Sequence, residues 1–193
     1  MSPLALRIQG RGGQGVPVAC RILADAFSRA GAWVQAFAAC GGERRGAPVT
    51  ASLRVDDAPI RLRGDVERPD HLIVLDPALL AGLADAVRGL DGLVLVNSPH
   101  APCSRFPGSA RVVAVDGDAL AERFGLGPIV ATAMVGAFAG ATGLLPLEHL
   151  AAAVDEGSPA KKCEHVEAAR LAYREAATLT VMEVSMISSS AAT

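Results

Sequence analysis

The feature that most constrains the fold is a glycine loop, GRGGQG at residues 10–15, which directly follows the short apolar run LALRI. Its glycines fit the pattern G-x-G-x-x-G. The next segment, residues 16–30, has apolar residues at helical spacing, and Pro17 suits the first turn of a helix. Strand, glycine loop and helix in this order predict the first unit of an α/β domain, in which N–H groups at the start of the helix can bind a phosphate.

Three later apolar runs support the same fold class. LIVL at 72–75, LVLV at 93–96 and VVAV at 112–115 are apolar throughout, which is typical of parallel strands that are buried on both faces. Between the first two runs, PALLAGLADAVRGL has the length and spacing of a crossover helix. Together they predict a βαβ unit.

The chain after Asp116 is predicted to be mainly helical. Its segment PIVATAMVGAFAGATGLL is apolar nearly all round and contains small residues that permit close helix contact, so we expect it to be buried, inside the chain or against another chain. We therefore predict a single α/β domain over residues 1–178, a doubly wound, mostly parallel, Rossmann-like sheet with helices on both faces. Residues 179–193 are expected to form a flexible C-terminal tail.

Charge and composition argue against several classes of function. A net charge of -2 and a pI of about 6.1 give no general attraction to nucleic acid or to an anionic membrane. No apolar stretch has the roughly 18 residues of a membrane span, and no export signal is recognised, so a cytoplasmic location is expected. The four cysteines form no C-x-x-C pair, and we expect no metal or iron–sulfur site in this chain.

The glycine loop lacks the partner that a dinucleotide site requires. An acidic residue should end the second strand, about 20 residues further on, to bind the ribose. That region reads WVQAFA at residues 33–38 and contains no acid. Three interpretations stay open: a dinucleotide site in a free-standing oxidoreductase, a site for another anion or phosphate tail, and a loop that binds no ligand and contacts only a neighbouring subunit or water.

A second motif, GGERRGAPVTAS at residues 41–52, also contains chemistry-bearing side chains. Arg44 and Arg45 follow two glycines, and paired guanidinium groups can bind a phosphate or a carboxylate in a bidentate manner. An ion pair with Glu43 or with an acid of a partner is the alternative, and it is the commoner role of paired surface arginines.

The two motifs together resemble a known family. GRGGQG at the start of the first helix, with QAF-x3-GGERRGAPV after the second strand, is similar to the gamma subunit, or gamma domain, of 2-oxoacid:acceptor oxidoreductases, the pyruvate:ferredoxin oxidoreductase group. The resemblance extends from Leu4 to about Ala176. It includes TAMVGAFAGATGLLPLEHL and the ending K-x-x-E-H-V-E-A-A-R.

The resemblance implies a non-catalytic subunit of a complex. Its partners would be alpha, beta and ferredoxin-like delta subunits, which hold thiamine diphosphate and iron–sulfur clusters, and in some members a flavin subunit that reduces NAD. Such complexes oxidatively decarboxylate a 2-oxoacid, usually with coenzyme A, to an acyl-CoA and CO2, and electrons pass to ferredoxin or NAD. This chain would brace the active site and help to hold coenzyme A through a subunit-facing surface of Gly12, Gly13, Gln14, Gly15, Glu43, Arg44, Arg45 and Gly46.

One departure from the family pattern bears on the substrate. Family members often have a serine and an aromatic residue before the second glycine motif, where this chain has Ala39 and Cys40. Because these side chains are small, we expect room for a bulkier 2-oxoacid, such as an aromatic one.

The remaining polar residues are given structural roles. Asp76 and Asp116 each follow an apolar strand and are expected to cap the next helix. His100 is expected in an exposed loop, and His165 and Glu167 on the exposed face of a helix.

Overall fold

The computed structural model describes residues 3–38, 46–62, 64, 66–83, 89–100 and 110–190, with side chains described as far as 179. Six strands form one sheet: β1 (Leu4–Arg11), β2 (Trp33–Ala38), β3 (Pro48–Asp56), β4 (His71–Val74), β5 (Leu93–Asn97) and β6 (Arg111–Val115). Their order across the sheet is β2-β3-β1-β4-β5-β6. The predicted strands at residues 4–8, 72–75, 93–96 and 112–115 are confirmed, and their observed ends differ from the predicted ends by one to three residues.

The sheet is mixed, with a parallel part and an antiparallel part. β1, β4, β5 and β6 are parallel neighbours, whereas β3 runs antiparallel to both β1 and β2. β5 is buried at every residue, as expected for a strand that is covered on both faces, whereas burial alternates along β1. The predicted α/β fold with a mostly parallel sheet is confirmed, and the antiparallel insertion of β3 is the new element.

The described residues form five α-helices: α1 (Val16–Arg29), α2 (Gly117–Arg123), α3 (Ala131–Thr142), α4 (Leu147–Gly157) and α5 (Lys162–Ser190). Asp116 caps α2, since its side chain accepts a hydrogen bond from the N–H of Ala119 at 2.9 Å, as predicted. The helical backbone of α5 extends to Ser190, and the mobility of residues 179–193 stays a prediction. In the described part of the chain, no helix is long and apolar enough to cross a membrane.

Both faces of the sheet are covered at β4 and β5. The α-helices pack on one face to form the main core, and a smaller cluster lies on the other face of β4 and β5, under a 3₁₀ helix, Pro77–Leu83. We predicted an α-helix over PALLAGLADAVRGL; its described first half is 3₁₀ instead. The N–H of Leu79 bonds to the carbonyl of Asp76 at 3.0 Å, which is the i to i+3 pattern of that helix.

The apolar helix α3 is buried inside this chain. Two glycines four residues apart face the backbone of α5: a Cβ on Gly136 would lie 2.2 Å from the carbonyl oxygen of Ala169, and a Cβ on Gly140 would lie 2.1 Å from that of Tyr173. The predicted close helix contact is thus made within the chain, and α3 needs no second chain to cover it.

His165 corrects one prediction. It lies on the α3-facing side of α5, is only 6% exposed, and its Nδ1 lies 3.0 Å from the hydroxyl of Thr132. Its position three and four residues before Ala168 and Ala169, which are fully buried, places it on the same helix face. The expectation of a surface histidine was therefore wrong, whereas Glu167 is exposed as expected.

A second histidine, His71, is half-buried, and its surroundings indicate how the stability of the chain depends on pH. The N–H of Leu93 donates to its Nδ1 at 2.8 Å, and its ring meets that of Phe138 edge-on with centroids 5.6 Å apart. Burial lowers the pKa of His71, with a further lowering by Arg111 that is opposed by Asp70. As the pH falls, the unfolded chain therefore takes up a proton on His71 before the folded chain does. The contribution of His71 to the free energy of unfolding is fully present above the ordinary pKa of 6.5 and falls as the pH drops through that value.

We therefore expect a lower free energy of unfolding at about pH 5.5 than at about pH 7.5. His71→Asn keeps an acceptor for the N–H of Leu93 and removes the titrating ring, so it should show a smaller fall between the two. Burial also lowers the pKa of His165, so this residue gives the variant a pH dependence of stability with the same sign. Urea unfolding at both pH values measures this, and identical falls in the two proteins would show that His71 makes no contribution.

Candidate functional site

The glycine loop lies at the carboxyl edge of the parallel strands, between the end of β1 and the start of α1. There it contacts the second motif directly. The N–H of Gly12 donates to the carbonyl of Ala47 at 2.9 Å, and the N–H of Gly46 donates to the carbonyl of Gly12 at 3.2 Å. The structure thus brings together the described parts of the two motifs. Glu43, Arg44 and Arg45, the predicted charged residues of the second motif, lie outside the described residues.

Gln14 holds the loop in shape. Its side-chain oxygen accepts a hydrogen bond from the N–H of Arg11 at 2.7 Å, and its side-chain nitrogen donates to the carbonyl of Leu75 at 3.2 Å. The amide therefore joins the loop to the end of β4. Its contribution to a ligand or to a neighbouring subunit would come through the loop backbone that it positions.

Gly13 and Gly15 both have backbone conformations that favour glycine, with φ of 103° and 89°. They differ in surroundings. A Cβ on Gly15 would lie 2.9 Å from the Cβ of Ala131, so this glycine lets the loop pack closely on α3, whereas Gly13 is exposed with nothing within 4 Å of a Cβ. The N–H groups of both find no acceptor among the described residues. Both donors lie next to the positive end of α1, which favours an anion.

Two residues that were not predicted as part of the site, Arg11 and Asp76, brace the loop from outside. The guanidinium of Arg11 forms an ion pair with the carboxylate of Asp76, and its Nη1 donates to the carbonyl of Gly46 at 3.1 Å. The other oxygen of Asp76 accepts from the N–H of Ala78 at 2.9 Å, which confirms its predicted capping role. Arg11 is the last residue of β1 and Asp76 follows β4, and because these two strands are parallel neighbours both residues lie at the same edge of the sheet.

Asn97 connects the ends of the next strands. It is 2% exposed at the end of β5, and its side-chain nitrogen donates to the carbonyl of Leu75 and to the carboxylate of Asp118, each at 2.9 Å. Its side-chain oxygen accepts from the N–H of Gly117, also at 2.9 Å. Since Gln14 bonds to the same carbonyl of Leu75, one network fixes the glycine loop to the carboxyl ends of β4, β5 and β6.

The strand order explains why the ribose-binding acid is absent. In a dinucleotide-binding domain, the strand that carries this acid lies beside β1 and runs parallel to it. Here the neighbour of β1 on that side is the antiparallel β3, and Gly46 and Ala47, which precede it, are hydrogen-bonded to Gly12. On this side of β1, Gly46 and Ala47 of the second motif occupy the space beside Gly12.

Polar clusters give no sign of a metal site. Within the described ranges, no group of three or more His, Cys, Asp and Glu side chains is arranged to hold a metal ion. Of the cysteines, Cys20 is buried and Cys163 is exposed, while Cys40 and Cys103 lie outside the described residues. His100 is exposed, as expected.

Residues 5–179 match the family described as Pyruvate ferredoxin/flavodoxin oxidoreductase. The chain belongs to this family. Pyruvate synthase subunit PorC of Methanothermobacter thermautotrophicus is 43% identical over 182 residues, covering 92% of this chain and 98% of that protein. The Pyruvate/ketoisovalerate oxidoreductases common subunit gamma of Thermococcus kodakarensis is 45% identical over 161 residues, covering 79% and 85% of the two chains.

Two solved structures have the same fold. The PORC subunit of pyruvate oxidoreductase from Thermotoga maritima matches with a TM-score of 0.76 and 29% identity, over 90% of this chain and 97% of that chain. The 2-oxoglutarate:ferredoxin oxidoreductase from Magnetococcus marinus matches with a TM-score of 0.73, over 93% of this chain and 32% of that chain; its 15% identity shows the fold alone. The predicted resemblance to gamma subunits is confirmed, and the chain is a gamma-type member of an oxidoreductase family.

Proposed function

We propose that this chain is the gamma subunit of a thiamine diphosphate-dependent 2-oxoacid:acceptor oxidoreductase. The complex would convert a 2-oxoacid and coenzyme A to an acyl-CoA and CO2 and pass the electrons to ferredoxin or NAD. Alpha, beta and ferredoxin-like delta subunits would hold thiamine diphosphate and the iron–sulfur clusters, with a flavin subunit where NAD is the acceptor. The chain itself would brace the active site and help to hold coenzyme A.

The observation that carries the proposal is the junction of the two motifs at Gly12 and Gly46. Hydrogen bonds to Ala47, Leu75 and Arg11 fix the loop, so the exposed backbone at Gly13 is presented in one conformation. Two backbone N–H groups without acceptors, beside a helix N-terminus, fit one phosphate of coenzyme A. Arg44 and Arg45 directly precede Gly46 in the sequence and would supply the positive charge that a phosphate prefers.

The residues just before the second motif suggest which class of 2-oxoacid the complex accepts. Ala39 and Cys40 precede the second motif where larger residues are common in the family, and we propose that the complex accepts an aromatic 2-oxoacid. Comparing kcat/KM for phenylpyruvate and for pyruvate in the assembled complex tests this; a strong preference for pyruvate would contradict it.

The experiment on coenzyme A uses the assembled complex with Arg44→Ala and Arg45→Ala combined. Loss of two charge-assisted hydrogen bonds should raise the KM for coenzyme A about 10-fold or more, with kcat at saturating coenzyme A little changed. The matched control is Arg170→Ala with Arg174→Ala, which removes the same charge from exposed positions of α5. An unchanged KM in an intact complex would favour a purely scaffolding subunit.

The rival function, a free-standing dinucleotide-binding oxidoreductase, is tested on the isolated chain. The filled space beside Gly12 argues against it, so calorimetry should detect no binding of NAD or FAD. Binding with a Kd in the micromolar range, about -8 kcal/mol, would support the rival instead.

A further inference from the structure

Arg11, the last residue of β1, connects three segments of the chain at the candidate site. Its backbone N–H donates to the side-chain oxygen of Gln14, in the glycine loop, at 2.7 Å. Its guanidinium forms an ion pair through Nε with Asp76, which follows β4. Through Nη1 the guanidinium also donates to the carbonyl of Gly46, in the second motif, at 3.1 Å. One side chain therefore joins the second motif to the end of the neighbouring strand, next to the loop.

Gly46 is held beside the loop by hydrogen bonds and not by packing. It is exposed, and a Cβ on it would have nothing within 4 Å among the described residues. Its N–H donates to the carbonyl of Gly12 at 3.2 Å, and its carbonyl accepts from Arg11. The bond to Gly12 is at the long end of the usual range, so it holds Gly46 only weakly. The position of Gly46 therefore depends on the guanidinium of Arg11.

The ion pair of Arg11 with Asp76 orients the guanidinium more than it stabilises the fold. The side chain of Arg11 is 38% exposed and that of Asp76 is 19% exposed. Ion pairs that are open to solvent contribute little to the free energy of unfolding. A guanidinium bound at two of its nitrogens is nevertheless fixed in direction, because its donors form a rigid planar fork. We therefore expect loss of this pair to change the local geometry and to leave overall stability nearly unchanged.

We propose that Arg11 is a positioning residue for coenzyme A. Oriented by Asp76, its guanidinium holds Gly46 against Gly12 and so sets the place of the second motif relative to the N–H groups of the glycine loop. This inference rests on the proposed function, in which those N–H groups bind one phosphate of coenzyme A. The role of Arg11 depends on the direction of its hydrogen bonds and not on its charge alone.

The first test is Arg11→Ala in the assembled complex. The KM for coenzyme A should rise about 5- to 10-fold, the effect of losing about one hydrogen bond. The kcat at saturating coenzyme A and the KM for the 2-oxoacid should change little, because the substitution affects how one ligand is held. The midpoint of urea unfolding of the isolated chain should also stay nearly the same.

Arg21→Ala is the matched control. Arg21 is exposed on α1, and its Nη2 donates to the carbonyl of Gly157 at 2.7 Å. The control therefore removes the same charge and the same kind of bond to a glycine carbonyl, away from the contacts of the glycine loop. It should leave the KM for coenzyme A unchanged.

Asp76→Ser separates orientation from charge. A serine hydroxyl can still accept from the N–H of Ala78, as Asp76 does, but provides no carboxylate to orient Arg11. The variant keeps the positive charge of Arg11 and removes a negative one, so an effect of charge alone would lower the KM for coenzyme A. The proposal requires the KM to rise about as much as in Arg11→Ala. The double variant should be no worse than either single variant, because the two residues act as a unit.

Three results would overturn the proposal: an unchanged KM in Arg11→Ala, an unchanged or lowered KM in Asp76→Ser, or an equal rise in Arg21→Ala. A KM that rises on substitution of Arg44 and Arg45, but not of Arg11, would remove only the positioning role and leave the binding of coenzyme A in place. An unchanged KM in both sets of variants would reject both proposals. If the Arg11→Ala chain does not fold or does not enter the complex, Asp76→Ser alone decides.

Discussion

Gly136→Ala and Gly140→Ala should each lower the free energy of unfolding by about 2 to 3 kcal/mol, the cost of overpacking a well-packed interior. Either new Cβ would lie little more than 2 Å from a backbone carbonyl oxygen of α5. A backbone atom cannot move aside as the end of a flexible side chain can, so the whole of α3 must separate from α5. The preference of helices for alanine over glycine, about 1 kcal/mol, acts in the opposite direction and is outweighed.

Urea unfolding measures this effect, with Gly82→Ala as the matched control. Gly82 lies in the 3₁₀ helix, and a Cβ there would have nothing within 4 Å. The control should be neutral or slightly stabilising. Equal effects at Gly82 and Gly136 would show that backbone freedom, and not the contact with α5, determines the cost.

Asn97→Asp should cost about 3 kcal/mol or more, although it changes one NH2 group to oxygen. The side-chain nitrogen of Asn97 donates to the carbonyl of Leu75 and to the carboxylate of Asp118. The new carboxylate, on a side chain that is only 2% exposed, would place oxygen against oxygen at both contacts and a second negative charge beside Asp118.

The double variant Asn97→Asp with Asp118→Asn provides the decisive control. It restores a donor to one of the two contacts and removes the charge repulsion, so it should recover part of the lost free energy. Ser98→Ala, next along the chain, removes the bond that the hydroxyl donates to the carbonyl of His100 and the weaker one that it accepts from the N–H of His100. Both are exposed, and the substitution should cost less than about 1 kcal/mol. Strictly additive effects of the two substitutions would show that Asn97 and Asp118 do not interact.

The sequence predicted the parts of the fold that depend on local pattern. The continuous apolar runs became β4, β5 and β6, and the glycine loop with Pro17 located the start of α1. Local pattern does not determine which strand pairs with which. For this reason the insertion of β3 between β1 and β2 was not predicted; it is seen only in the backbone pairing of β3 with both neighbours and in the bonds of Gly12 with Gly46 and Ala47.

The candidate site was predictable to a similar extent. Gly13 and Gly15 were selected from their motif, and their conformations justify glycine at both positions. Asn97 was missed because a lone asparagine at the end of a strand has no distinctive sequence pattern; its three bonds arise only when three strand ends meet. His165 was wrongly expected at the surface because histidine is a polar residue. Its helical spacing from Ala168 and Ala169 places it on their buried face.

The strand order has a consequence for protein engineering. Installing an acidic residue at the end of β2 would not turn this chain into a dehydrogenase, because β2 is separated from the glycine loop by the full width of β3. The hydrogen bonds between the loop and residues 46–48 would have to be broken. The connections between the strands would also have to change so that a parallel strand lay next to β1. Conversion of this chain to a dinucleotide-binding dehydrogenase therefore requires a different strand order. Point substitutions that keep the present strand order do not provide it.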